Sequence, residues 1–348
     1  MRRAFPGFGP DVEARYERAG KWLLATVYGR KASRDWCDKK GVAIVKAASE
    51  GIGSGGGFLV PEALENAILD LRDSYGAFRR RACKWPMGSD SSSFPRRIGA
   101  AQAFFFAENS PAANTNTNMD EVKLTAKKLG ALVRLSNELA EDSIVDMVDY
   151  VANELAWALA VKEDQCAFSG DGTSAYGGMK GIGTIANDGA HGQARQAASA
   201  DAFGSLQAGD MARLVEGVRA SAIPRAAWFM SVTAFAQTVI RLANAGGYLY
   251  TGPLDNIATP YFNGFPVVLT QALPLSATVT SGLPMMAFGD MYAAAVLGQR
   301  RGLTIARSED RYMIEDQLAI LATERFDAVI HDMGDNTNNG SLAVLVAP

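Results

Sequence analysis

The chain has 348 residues, 34 Lys/Arg against 37 Asp/Glu, and a formal net charge of -3. At ~150 residues per domain this length allows about two domains, and 48% hydrophobic with 20% charged residues excludes a disordered, collagen-like or coiled-coil chain. The near-neutral charge also excludes a chain-wide polycationic nucleic-acid binder. Cys37, Cys83 and Cys166 have neither metal-finger nor redox spacing, and their odd number points to a reducing compartment without a disulfide framework. No apolar run approaches the ~18 residues of a membrane span. The basic residues at the N-terminus have no apolar core behind them, unlike a signal peptide.

In chain order, residues 1–50 come first, with 11 Lys/Arg against 6 acids, net +5; the remaining 23 basic and 31 acidic residues give net -8 over 51–348. Val12, Tyr16, Ala19 and Leu23 have near-helical spacing behind Asp11 as a cap, which predicts a helix over 11–28. Such a segment is either a solvated amphipathic arm or one that meets a polyanion or a partner subunit. The Gly51–Gly57 run formally contains G-x-G-x-x-G, but the Phe58–Pro61 stretch after it reads as extended chain. A dinucleotide loop must open a helix, so this run reads as a hinge. A short helix follows over 61–74, with Leu64, Ile68 and Leu71 on one face.

Strands are predicted for Phe94–Ile98, Ala103–Glu108, Val122–Thr125 and Leu129–Leu135, with a polar tract Asn109–Asn118 between them. Phe104, Phe105 and Phe106 beside that tract fit either a core hairpin or a two-stranded excursion whose apolar face meets another chain; a lone hairpin is marginal in water. Ser143–Phe168 is the longest predicted helix, with Ile144, Val148, Val151, Leu155, Leu159 and Cys166 near one face. Its acids read as solvated or capping, and Gly170-Asp171-Gly172-Thr173 stops it. Further helices are predicted over 205–220 and, capped by Thr233, to Asn244. Strands are predicted for 226–230, 265–270, 285–288, 294–297, 303–306 and 318–326. The mixture has no βαβ period and no repeat, so the fold class is α+β.

Catalytic chemistry has few candidates. A Ser-His-Asp arrangement needs His191 or His331, and no G-x-S-x-G elbow accompanies either. A hydrolase would pair His191 with Ser169 across space. No G-x-x-x-x-G-K-[ST] loop, zinc spacing or Glu-x-x-His pair occurs. The expectation is no catalytic residue, no metal and no cofactor.

From Gly57 onward several phrases stand in a recurring order. They are Gly57-Phe58-Leu59-Val60-Pro61, Phe94-Pro95-Arg96-Arg97 with Glu108 downstream, Val122–Val133, Ser136–Ser143, Phe168–Thr173, Lys180–Gly183, Phe288-Gly289-Asp290, Gly298–Gly302 and Ala322–Arg325. In this order, over 57–335, the chain resembles the major capsid proteins of tailed double-stranded DNA bacteriophages, with the Hong Kong 97-like fold. The resemblance implies an N-terminal arm (1–56) and a peripheral domain (57–83 and 126–224) with a spine helix over 143–168. It further implies an extended loop (84–125), an axial domain (225–320) and a return to the peripheral domain (321–348). The loop would lie across a neighbouring subunit, which makes Arg96, Arg97, Phe104, Phe105, Phe106 and Glu108 inter-subunit contact candidates; Trp22 and Trp36 of the arm join them.

The resemblance implies a virion protein, assembled in the bacterial host cytoplasm, that forms pentamers and hexamers of an icosahedral shell. Its partners would be itself, a portal protein, packaged double-stranded DNA on the inner face, and a decoration protein, with no membrane. About 50 residues precede the hinge, shorter than an attached scaffolding segment; Met1 favours a separate scaffolding protein over a removed one. Self-crosslinking in some members joins a loop lysine to an asparagine, and no Lys lies between Lys84 and Lys123. An encapsulin-type nanocompartment, a gene-transfer particle and a hydrolase using His191 are the alternatives.

Overall fold

The computed structural model describes residues 21, 31–40, 72, 75–97, 105, 119–136, 147–245, 260–308 and 311–348. The predicted helices over 11–28 and 61–74, the Gly51–Gly57 run, the strand over 103–108 apart from Phe105, and the Asn109–Asn118 tract lie outside the described residues, as do Trp22, Phe104, Phe106 and Glu108.

Helix α1 (Lys31–Lys40) and the short α2 (Ala77–Arg81) precede β1 (Cys83–Pro86), β2 (Ser91–Arg97), β3 (Met119–Thr125) and β4 (Lys127–Ser136). The long helix α3 (Met147–Ser169) leads through α4 (Ile182–Ala186), β5 (Arg195–Ala197) and α5 (Ala208–Glu216) to β6 (Ala227–Met230). After α6 (Val232–Ala234), a π-helical stretch (Phe235–Ile240) and α7 (Arg241–Ala245) come β7 (Tyr261–Phe262), β8 (Phe265–Leu269) and β9 (Pro284–Gly289). The chain closes with α8 (Met291–Ala294), β10 (Ala295–Ser308), β11 (Gln317–Ile330) and β12 (Leu342–Val346).

Two main sheets organise these elements. The first has strand order β1-β10-β11-β4, and the second β5-β12-β9-β6-β8-β7. In the second sheet β6, β9 and β12 are buried throughout. Their continuous apolar sequences follow from burial on both faces. Alternation divides them: Phe229, Ala287, Leu342, Val344 and Val346 enter one core with Phe168 and Phe326. Trp228, Met230, Met286, Phe288, Ala343 and Leu345 enter another with Phe203, Leu206, Leu214 and Val239. The first core joins the end of α3 to both sheets; the second packs helical segments 203–242 on the opposite face.

In α3, Val151, Leu155, Leu159 and Cys166 are buried, as the spacing predicts, and the helix ends at Ser169. A Cβ on Gly170 would stand 2.4 Å from the Cys166 carbonyl oxygen, so only glycine fits this exit. The helix packs on β4 and β11.

Several local expectations are corrected. The predicted strands 294–297 and 303–306 are parts of one strand, β10, paired with β11 through register shifts between Gln299 and Thr304. The predicted helix over 205–220 is α5 with 3-10 turns at 203–205 and 220–225. Ser231, not Thr233, caps the helix after β6: its hydroxyl accepts from the Ala234 N–H at 3.2 Å, whereas Thr233 donates to the Leu275 carbonyl. Pattern places a cap within two residues only, because either hydroxyl can serve until tertiary contacts choose. Not all acids of the long helix are solvated or capping that helix, because Glu163 and Asp164 are buried.

Candidate assembly surfaces

In a two-stranded hairpin, β2 pairs antiparallel with β3, from Ser91 opposite Thr125 to Arg97 opposite Met119. Met87, Leu124 and Val296 form a small core that seats it on β10. The Thr125 N–H donates to Asp327 at 2.6 Å, and Asp90 lies 3.1 Å from Arg325. Arg96 links the hairpin to the body: it donates to the His331 carbonyl at 2.5 Å and pairs with Asp120 at 2.8 Å. The Glu121 N–H and Arg96 hold the Asp120 carboxyl below its usual range. Phe94 meets the His331 ring edge-on at 5.4 Å, and burial lowers the pKa of that imidazole.

Of the sequence-predicted contact residues, Arg96 is therefore an intramolecular clamp at the hairpin base. Arg97 continues β2 opposite Met119. Phe105 is wholly exposed, at 109% of its reference surface. Trp36 is half-buried on α1.

Helix α3 is locked by charges that sequence reasoning missed. Arg72 and Arg79 meet Glu163 of α3 and Glu324 of β11, and all four are at most 1% exposed. Arg79 embraces Glu163 through Nε, at 2.7 Å, and Nη2; Arg72 pairs with Glu324 and stands 4.0 Å from Glu163. Burial, with the charge of Glu163, pushes the Glu324 carboxyl up to about 8 against the pull of the two arginines. Beside it, Asp164 accepts from the Ala77 and Phe78 N–H groups, each at 2.9 Å, and so caps α2 from another helix. Burial raises Asp164 to about 6 despite those bonds. The one available signal was the helical position of Glu163, four residues beyond Leu159 on the buried face.

Catalytic geometry does not form around the histidines. The His191 ring pairs with Asp188 at 3.0 Å, while the Ser169 hydroxyl donates to the Ala272 carbonyl at 2.5 Å. A cavity of about 130 Å³ beside α3 is lined by Tyr75, Trp157, Asp164 and Thr270, with no histidine or serine. Among the described residues no group of three or more His, Cys, Asp or Glu could hold a metal, and no helix is long and apolar enough to cross a membrane.

Residues 56–333 match the phage capsid family. The chain belongs to that family. It is 25% identical over 300 residues to the major capsid protein of Klebsiella oxytoca phage phiKO2, covering 84% of this chain and 68% of the relative. Among solved structures, the capsid of a native GTA particle matches with a TM-score of 0.59 at 18% identity, covering 87% of this chain and 95% of that one. Mycobacterium phage Cain matches with a TM-score of 0.57 at 16% identity, covering 79% and 90%. This capsid protein thus has the Hong Kong 97-like α+β fold, and it is a structural subunit of the virion shell, not an enzyme. The alternative of a hydrolase using His191 is set aside on both grounds.

Proposed function

We propose that copies of this capsid protein assemble into pentamers and hexamers, which close an icosahedral head shell around double-stranded DNA. The observation that carries this reading is the family match across 56–333, joined to a hairpin that leaves Phe105 in water. In this reading residues 1–56 form an inter-subunit arm, 84–125 the extended loop and 225–320 the core of the axial domain. The peripheral domain comprises 57–83, 126–224 and 321–348 around the spine helix. Residues 195–197 and 342–346 are the exceptions: hydrogen bonding of β5 and β12 into the six-stranded sheet supports moving them from the peripheral to the axial part.

Arg96 and Arg97 orient the loop in this reading, and Phe104, Phe105, Phe106 and Glu108 contact the next subunit. Trp22 and Trp36 of the arm bury against neighbours, since aromatic anchors gain most from desolvation. A portal protein, a separate scaffolding protein and an outer decoration protein are the other proposed partners.

Electron microscopy of the purified chain tests this: closed shells are expected, and only monomers or irregular aggregates would refute it. A shell that held an enzyme cargo instead of DNA in its native source would favour the encapsulin-type alternative. Removal of residues 1–50 is expected to block closed shells without DNA. Normal empty shells that fail only to package would assign the +5 segment to phosphate contacts instead.

A further inference from the structure

The cavity beside α3 lies where three segments meet: Tyr75 ahead of α2, Trp157 and Val161 of α3, and Leu269 and Thr270 where β8 ends. Its volume is about 130 Å³. The walls reach solvent, since Tyr75, Trp157 and Leu269 are 43%, 45% and 37% exposed. Asp164 also lines it and is only 6% exposed. Aromatic and apolar walls with a few placed polar groups are the makeup of a small-ligand site.

Asp164 sets the chemistry of the guest. Its neighbours Glu163 and Glu324 are held by Arg79 and Arg72. Among the described residues Asp164 meets only neutral donors, the Ala77 and Phe78 N–H groups at 2.9 Å and the Thr270 hydroxyl at 3.4 Å. A carboxylate accepts about four hydrogen bonds, so these leave capacity for one more. Glu163 adds a like charge beside it, and burial raises the Asp164 carboxyl to about 6.

A neutral guest would shut this carboxylate further from water and gain nothing from its charge. A cation offsets the charge and also meets Trp157 and Tyr75, whose ring faces attract ammonium groups. A calcium or magnesium ion is a poorer guest, because it asks for about six oxygens and the cavity lining brings one carboxylate. Size narrows the choice further. A cavity of about 150 Å³ takes benzene, so one of about 130 Å³ takes roughly five or six heavy atoms.

We propose that this cavity binds a short aliphatic amine, with its ammonium group on Asp164 and its methylene chain against Trp157, Tyr75 and Leu269. In a four-carbon diamine the second ammonium group stays in the water at the mouth. The site lies within one subunit and needs no assembled shell.

Equilibrium dialysis of radiolabelled 1,4-diaminobutane against the full chain tests this, on DNA-free subunits and empty shells at about pH 8, where Asp164 and the amine are both charged. Saturable binding of one equivalent per chain is expected, displaced by 1-butylamine and not by the neutral 1,4-butanediol. Asp164→Asn should weaken it about tenfold or more. Trp157→Leu, at a half-exposed position, should weaken it about tenfold with an unchanged circular dichroism spectrum, and Trp157→Phe should restore most of the affinity. Non-saturable binding, displacement by the diol, or unchanged affinity in either Asp164→Asn or Trp157→Leu would overturn the proposal. Binding by free subunits that is lost in empty shells would mean that another copy's side chain fills the cavity, and would overturn it too.

Discussion

Replacing Arg79 by Met should be among the most damaging single changes in the unassembled subunit. Arg79 is 1% exposed and holds Glu163, itself 0% exposed, through two donors of its one guanidinium, Nε and Nη2. Without it, Glu163 and Glu324 must share Arg72 in a dry site. Removing one partner of a buried ion pair costs about 3–5 kcal/mol, because the other charge stays buried. At an m-value of ~3 kcal/mol per M for a chain of this size, the urea midpoint should fall by about 1–1.7 M. Burial already raises Glu324 to about 8 against the pull of both arginines, and loss of Arg79 removes one of those pulls, so Glu324 should rise further and the variant's deficit should widen above pH ~8. Arg79→Met/Glu163→Leu removes both charges and should recover most of the loss, since apolar replacement of a whole buried pair is near neutral. Urea titration followed by tryptophan fluorescence, at pH 7 and at about pH 9, reads all three quantities. A loss below ~1 kcal/mol for the single variant, or no recovery in the double, would refute the claim that this cluster locks α3.

Asp164→Asn leaves one of the two N–H groups of Ala77 and Phe78 without its acceptor, and should cost about 1–3 kcal/mol at pH 7 by urea titration. Because Asp164 is raised to about 6, wild-type stability should decline from pH ~4 to 6 on its account and level off above, a slope that the variant lacks. Gly289→Ala meets both a φ of 145° and the Ser341 carbonyl oxygen 2.2 Å from the new Cβ. It should cost more than ~1 kcal/mol, read as a lowered midpoint.

The sequence by itself determined the mixed class, the long helix and the paired strands, because each is written in local periodicity. Val151, Leu155, Leu159 and Cys166 repeat at helical spacing, and β4 alternates along Leu129, Ala131, Val133 and Leu135. Family membership was legible too, through short phrases in a fixed order over most of the chain. Tertiary structure alone decided which strands pair, since β1 joins β10 from more than 200 residues away and β12 inserts between β5 and β9. It also decided that Glu163 and Asp164 are buried. Their partners Arg79, Arg72 and the α2 amides lie over 80 residues away, and a carboxylate's sequence neighbours do not reveal whether a distant guanidinium will neutralise it. The alignment of Arg301, Arg325 and Lys128 has the same origin, because only strand register sets these three cations side by side.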